Sequence, residues 1–358
     1  MPTFKESTLR DVVKHVFEAA GSEPQEAEVI TDHLVRANLM GHDSHGVGMI
    51  PDYIANLQAG LLKPNVHAEL IQDESSLMRY DGAFGYGQVQ AKEAMASALT
   101  RCEDLGLVLM TLKNAHHIGR IGTYGEQAIE AGFISIHFVN VIGHPPMVAP
   151  YGGREGRFIT NPICIAMPGT ERTEAILLDM ATSKIALGKA RVAMNKREEV
   201  PEGSIIDPQG QQTQDPNVLF QEPKGALLPF GHYKGSGLAL FCELLAGGLS
   251  GGGTSQPGNS RHGAIINNMF TIIVDPARLV DQDWLSAEID ALVNYVKNTP
   301  TDAVTKRVRV AGEPEREASA RRQVKGVPIA EDAWTKIIEA AKLVGVTLST
   351  IKEILNKV

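Results

Sequence analysis

Cysteine is scarce in this chain. Only Cys102, Cys164 and Cys242 occur, widely spaced and in no CxxC pair. That excludes a disulfide framework and a cysteine-based metal site, and predicts reduced core thiols in a cytoplasmic protein. Long apolar runs are also missing. No stretch approaches the roughly 18 apolar residues of a membrane span, and the opening MPTFKESTLRDVVKHVF has no apolar h-region of a secretory signal. There is no excess of basic charge: 34 Lys and Arg stand against 42 Asp and Glu. A nucleic-acid partner needs a basic face to displace counterions from phosphates, so none is expected. Finally, no strand is followed by G-x-G-x-x-G and a helix. Gly119, Gly122 and Gly125 have the wrong spacing, and Gly85-Tyr86-Gly87 lacks a third glycine. The usual Rossmann dinucleotide fingerprint is therefore absent.

What remains is a 358-residue chain of ordinary globular composition, long enough for two or three domains. Its first ~60 residues have helical periodicity. Ser22 is placed to cap a helix through Ala27, Ile30, Leu34 and Ala37 that stops at Gly41, and Ile50 to Leu57 forms another. Between them lies the polar, glycine-flanked GHDSHGVG. From about Ser76 short β-like runs begin: SLMRY, LVLMTL, SIHFVN, ICIAM, AILLDMA and FTIIVD. Helical patterns at 88–105, 123–131 and 237–248 separate several of them. Helix returns at 284–298, 330–343 and 347–356. This alternation predicts an α/β fold. A helical domain built from both chain ends (1–75 with 285–358) would flank an α/β domain (76–284). The glycine-rich 247–261 reads as a mobile loop.

Four clusters carry chemistry. Asp43-Ser44-His45-Gly46 offers an imidazole with a flanking hydroxyl. Histidine titrates near neutrality, which suits proton exchange with an alcohol; the same residues would also serve as a helix-capping loop with a surface histidine. Asn114-Ala115-His116-His117-Ile118-Gly119-Arg120 follows an apolar strand, and strand ends in α/β sheets line clefts. On a strand only one of the two histidines would face such a cleft, unless the chain turns there; a hydrogen-bonded structural pair is the alternative. Histidines 42, 45, 116 and 117 show no HExxH or Cys–His spacing, so no metal is expected. Leu178-Asp179-Met180-Ala181-Thr182-Ser183, then Gly188-Lys189, gathers small residues, hydroxyls and a positive charge suited to phosphate or ribose. It could equally be a strand followed by a capped helix. His232-Tyr233-Lys234-Gly235-Ser236-Gly237 precedes an apolar helix as a potential anion site, or as a solvated helix start. Ala311-Gly312-Glu313-Pro314-Glu315-Arg316, by itself, is a charged loop.

The order of these motifs is more specific than any one of them. GHDSHGVGMIPDY, NAHHIGRIGTYGEQA, MVAPYGG with TNP, LDMATS with GK, HYKGSGLAL and AGEPER together resemble the malate/L-lactate dehydrogenase family, which lacks a Rossmann fold. The resemblance spans about residues 5–355. Through SHGVGMIP, HHIGRIG and GLSGG it is strongest toward the hydroxycarboxylate dehydrogenase B branch. It implies a non-Rossmann NAD(P)-binding α/β domain beside a discontinuous helical domain, and a homodimer with active sites near the subunit interface. It also implies NAD or NADP as coenzyme, with reversible hydride transfer to small 2-oxo acids; some relatives reduce cyclic imino acids instead. Residue by residue, His117 and His45 match the histidines assigned to proton transfer in different members, and Ser44 matches a serine beside the substrate. Tyr53 and His116 fall in the same substrate region. Asn140 matches the nicotinamide side. Asp179, Met180, Ala181, Thr182 and Ser183 match a cofactor-binding strand end, with Lys189 beyond it. Lys234 and Gly235 match a phosphate contact, and Gly312, Glu313 and Pro314 a loop that reaches the cofactor.

One departure stands out. Many members read SHGxxR, with an arginine suited to a substrate carboxylate, where this chain has Met49; it has instead Arg120 where many members are apolar. A guanidinium can grip a carboxylate with two parallel hydrogen bonds, so Arg120 is expected to replace the missing clamp. A solvent-facing or phosphate-facing Arg120 is the other possibility. A competing reading of the whole chain is a non-catalytic metal- or nucleotide-binding protein.

Overall fold

The computed structural model describes residues 2–259, 263–301, 304–305 and 307–356. The two chain ends meet. Strand β1 (Thr3–Phe4) precedes helices α1 (Glu6–Ala19), α2 (Pro24–Leu39) and α3 (Ile50–Gln58). In α1 the buried residues Leu9, Val12, Val13, Val16 and Phe17 recur every three to four positions, the spacing of one helical face. That face packs in one apolar cluster with Ile30, Leu34 and Ile54, and with Ile329, Ile337 and Ile351 from the other end of the chain. Ser22 does not cap α2. The helix begins at Pro24 after Glu23, whose side chain makes no cap, because proline needs no partner for a missing N–H.

Between the ends runs the sheet body. Strands β2 (Glu69–Glu74) and β3 (Leu77–Asp81) lead into α4 (Gly87–Leu105), β4 (Leu107–His116), α5 (Gly122–Glu130), β5 (Ile134–Ile142), β6 (Ile163–Met167) and β7 (Ile176–Met180). Helix α6 (Leu187–Lys196) is followed by a small sheet of β8 (Ile205–Ile206), β9 (Gln212–Thr213) and β10 (Ala226–Leu227). Then come α7 (Tyr233–Cys242), a π-helical turn over Glu243–Leu249, β11 (Ile266–Val274), α8 (Gln282–Lys297), α9 (Glu313–Lys325), β12 (Val327–Pro328), α10 (Glu331–Leu343) and α11 (Leu348–Leu355). The main sheet has the order β2-β3-β4-β11-β5-β6-β7. Only β3 and β4 pair in parallel, joined by the crossover helix α4; the other neighbours are antiparallel. This is α/β without the doubly wound parallel sheet of a Rossmann fold. The edge strand β2 lies within the stretch that sequence grouped with the helical ends; its mostly exposed side chains carry little apolar alternation to betray a strand.

The glycine-rich segment is anchored. Gly253 N–H bonds to Gly247 O, and Asn140 and Asn268 both donate to Gly253 O. Residues 260–261 of the expected loop lie outside the described residues. The central sheet buries one face under α4 and α5, where Ser135, His137 and Val139 alternate inward from β5. On the opposite face Leu107, Ile165 and Leu178 are 46%, 41% and 37% exposed.

Candidate active site

The GHDSHGVG segment folds into two tight 3-10 turns, Asp43–His45 and Val47–Met49. Asn38, at the end of α2, fastens both. Its Oδ1 accepts from Val47 N–H at 2.8 Å, and its Nδ2 donates to Asp43 Oδ1 at 2.7 Å. Gly46 is needed here, since a Cβ would lie 2.1 Å from the Asn38 oxygen. From α9, Arg322 grips Asp43 with two nitrogens at 2.6 and 2.9 Å. The turn thereby presents His45, whose Nδ1 lies 2.9 Å from Ser44 Oγ.

The second imidazole comes from the end of β4. His116 is the last strand residue and His117 begins the loop, so the strict alternation of a strand ends between them. Gly119, at φ +74°, lets the loop pass His33 where a Cβ would lie 2.3 Å from the ring nitrogen. His45 and His117 stack with ring centroids 5.5 Å apart and planes 21° from parallel. Tyr53 of α3, 0% exposed, touches both neighbouring histidines edge-on, and its Oη is 2.6 Å from His117 Nδ1. Gln88 Nε2 donates to the same Oη at 2.6 Å. His116 is fully buried and accepts from Asn56 Nδ2 at 3.0 Å. Burial in apolar surroundings disfavours the charged imidazolium. It pushes His45 down to about 4, against an opposing pull from Asp179, and His116 down to about 4. His117 sits well below its ordinary value for the same reason, reinforced by His45 and His116. Burial raises the Tyr53 phenol, which keeps its proton.

Arg120 does not stand ready as a carboxylate clamp. It is 2% exposed; its backbone N–H donates to His33, its Nη1 bonds Glu126 at 2.8 Å, and its Nε lies 3.4 Å from Asp179. Two carboxylates already neutralise it. Tyr53 and His116, expected at the substrate, are enclosed: Tyr53 Oη meets His117 and Gln88, and His116 Nε2 meets Asn56 while its Nδ1 is buried without a partner. Asn140 is likewise spent inside: its Nδ2 donates to Glu243 and Gly253 O, and its Oδ1 accepts from Asn268. Thr182 and Ser183 spend their hydroxyl protons on Thr160 O and Ile185 O, so toward a ribose either could only accept. Asp179 Oδ2 accepts from Gly122 N–H at 2.9 Å. Met180 and Ala181 remain half-buried at the strand end.

The remaining cofactor candidates gather around the same turn. Gly188, in the first turn of α6, faces Ser44, whose Cβ would be 3.2 Å from a Cβ built there. Ala186 provides no side-chain cap and its carbonyl takes the Lys189 N–H, so the amides of Leu187 and Gly188 are left open beside Ser44 and the exposed Lys189. Phe230 and Ser183 pair back to the adjoining segments through Phe230 N to Thr182 O and the Ser183–Pro229 bridge. That brings Lys234, exposed, and Gly235, buried, to the next loop. Gly312 leads α9 beside β7, with Arg316 donating to Ala175 O, while Glu313 is held by Lys297 and Val310 N. Two open amides and a lysine fit the anionic part of a dinucleotide. Gln88, Asn38 and Glu126 were not singled out from sequence. The available signal was a glutamine on an otherwise apolar helix face at 88.

The fold and the paired imidazoles define an α/β oxidoreductase scaffold that does without the Rossmann phosphate loop. The chain belongs to the malate/L-lactate dehydrogenase family, whose model matches residues 4–338. It is 43% identical over 351 residues to hydroxycarboxylate dehydrogenase B of Escherichia coli O157:H7, covering 98% of this chain and 96% of that protein. It is 42% identical to an L-lactate dehydrogenase of Cupriavidus necator, over 86% of this chain and 88% of that one. A solved structure of a putative malate/lactate dehydrogenase from E. coli superposes with TM-score 0.94 at 42% identity, covering 99% of this chain and 98% of that chain. Among the described residues no helix is long and apolar enough to cross a membrane.

Proposed function

We propose that this protein is an NAD(P)-dependent 2-hydroxy-acid dehydrogenase that interconverts small 2-oxo and 2-hydroxy acids. The observation that carries the reading is the stacked pair His45 and His117, drawn from two distant segments and set beside the open first turn of α6. The coenzyme, when bound, supplies or accepts the hydride. The protein holds the substrate oxygen against the imidazoles, one of which exchanges a proton with it. Such general acid–base help is worth about 10²–10⁴-fold. Ser44 orients His45, and Asp179, Lys189, Lys234 and Gly312 to Pro314 form the coenzyme side. The α/β body carries the coenzyme and the helical body supplies His45 and Tyr53.

The unpaired, buried thiols suit a reducing compartment, the cytoplasm. The apolar sheet face with Leu107, Ile165 and Leu178 suits a homodimer, with the active sites near the subunit interface. The decisive experiment is a panel of 2-oxo acids, with a cyclic imino acid included, against NADH and NADPH, following loss of reduced coenzyme. Turnover of a 2-oxo acid ahead of the imine supports the reading. Turnover of the imine alone, or of nothing in the panel, defeats it. The same panel ranks the two coenzymes.

A further inference from the structure

The two imidazoles are not equivalent, and the difference lies behind His117. Its Nδ1 contacts the phenol oxygen of Tyr53, which in turn accepts from Gln88 Nε2. A phenol has one proton to give. With one lone pair engaged by the Gln88 N–H, the proton is directed at His117 Nδ1. The reverse arrangement would turn Gln88 Nε2 to where its unpartnered Oε1 now lies. That would strand a buried N–H, which is rarer than an under-satisfied carbonyl. Gln88 is 1% exposed and Tyr53 0%, so water does not compete for these groups as it would at the surface.

His45 has a different kind of neighbour. The Ser44 hydroxyl can donate to a neutral Nδ1 and, by rotating, accept from Nδ1–H of the imidazolium. His45 is also half-buried on an outer turn, where solvent can restore a spent proton.

We propose that Gln88 and Tyr53 are positioning residues that lock His117 as the Nε2–H tautomer, a fixed hydrogen-bond donor to the substrate carbonyl, while His45 carries the proton that is transferred. The inference rests on the dehydrogenase reading and assigns its two histidines separate tasks. In reduction, the hydride adds to C2 and the C=O π pair moves to oxygen. His45 gives its proton to that oxygen and becomes neutral, and solvent reprotonates it. His117 keeps its Nε2–H throughout. In oxidation, neutral His45 takes the hydroxyl proton. The titratable and charged groups facing His45 are Asp179, Arg120, His42, His33 and His117. Those facing His117, besides His45, are Tyr53, His116, His33 and His144.

The test is nitrogen NMR of the whole enzyme with ¹⁵N-labelled histidine, with His117→Gln identifying the resonances, alongside the pH profile of kcat. Wild type should show His117 protonated on Nε2 and bare on Nδ1 across the pH range in which kcat titrates, with the titrating signal belonging to His45. Gln88→Glu, whose ionised side chain can only accept, should draw the phenol proton away and move the His117 proton to Nδ1. kcat should then fall at least about ten-fold, as a wrong tautomer does in other enzymes, with KM little changed. Tyr53→Phe should give mixed tautomers, and Gln88→Asn should partly restore the wild-type pattern. An Nδ1–H tautomer in the wild type overturns the proposal. So does a kcat profile that follows the nitrogens of His117, or a Gln88→Glu enzyme that keeps both tautomer and turnover. An Nε2–H tautomer with no turnover of any 2-oxo acid upholds the relay and removes the dehydrogenase reading instead.

Discussion

His117 and His45 arrive at one place from opposite kinds of backbone. His117 directly follows a ten-residue inner strand of a seven-stranded sheet, and everything behind it is buried: Tyr53, Gln88, His116. His45 stands on a three-residue turn whose neighbours Ser44 and Gly48 are exposed. That turn keeps its shape through side chains, Asn38 from one helix and Arg322 from another. The contrast teaches that a rigid donor and a rechargeable proton carrier need different supports. The first needs a dry hydrogen-bond chain. The second needs access to water and a hydroxyl that accepts either protonation state.

The strongest way to break this comparison is to remove each ring. His45→Ala should lower kcat by about 10²–10⁴-fold as loss of the proton carrier, and His117→Ala by about 10²–10³-fold as loss of a hydrogen-bond donor to the developing charge. The double variant should be little worse than the poorer single one, because groups acting in one step are not additive. Steady-state kinetics in both directions would show it, and full turnover in either single variant removes that ring from the chemistry. Next comes Arg120. Arg120→Met leaves the largely enclosed Asp179 without its cation, while the part-exposed Glu126 keeps Arg36, which should cost up to about 3 kcal/mol of stability in urea unfolding. A selective rise in KM for the 2-oxo acid with unchanged stability would restore the carboxylate-clamp role.

A smaller effect isolates the turn. Asn38→Ala strands the Val47 N–H and should cost about 1–3 kcal/mol, lowering kcat through His45 while the ¹⁵N signals of His117 stay in place. If the His117 signals move instead, the two supports are not independent. The smallest effect is electrostatic. His33 and His137 are held near 3, and His45 and His116 near 4, by burial. The unfolded chain takes up protons near 6.5, before the folded one does. Their contribution is therefore complete above about pH 6.5 and lost as pH falls toward about 4. Between neutrality and pH 6 each such histidine should cost a little under about 1 kcal/mol. Chemical denaturation across that range would measure the slope, and a flat curve would mean that these rings are charged when folded.

Much of the fold could be read from periodicity. The six apolar runs from 76 to 275 all became strands, and the helical windows differ from the observed helices mainly at their ends, but α9 (Glu313–Lys325) had no window and its start was read as a charged loop, because its charged face carries almost no apolar periodicity. The exceptions have identifiable causes. β2 has an exposed, charged pattern that carries no alternation. Helix α7 begins at Tyr233, four residues earlier than its apolar run suggested, because a helix start is set by backbone geometry at His232 and not by hydrophobicity. In the site, His45, His117 and Ser44 were recognisable because residue type and motif order specify them. Thr182, Ser183 and Asn140 share that motif pattern, yet their polar groups face inward, and residue type cannot say which way a hydroxyl or amide is turned.

Residue order alone determined the α/β class, the absence of a Rossmann phosphate loop, the family, and the two imidazoles, since these follow from periodicity and from short motifs within single segments. Tertiary structure decided the rest: that Tyr53 and Gln88, 35 residues apart, back His117; that Arg120 is enclosed by two carboxylates; and that Arg322, 279 residues from Asp43, holds the turn of His45. The reason is physical. A hydrogen bond or ion pair depends on distances of about 3 Å and on the exclusion of water, and for residues far apart in the chain only packing of the whole molecule sets either.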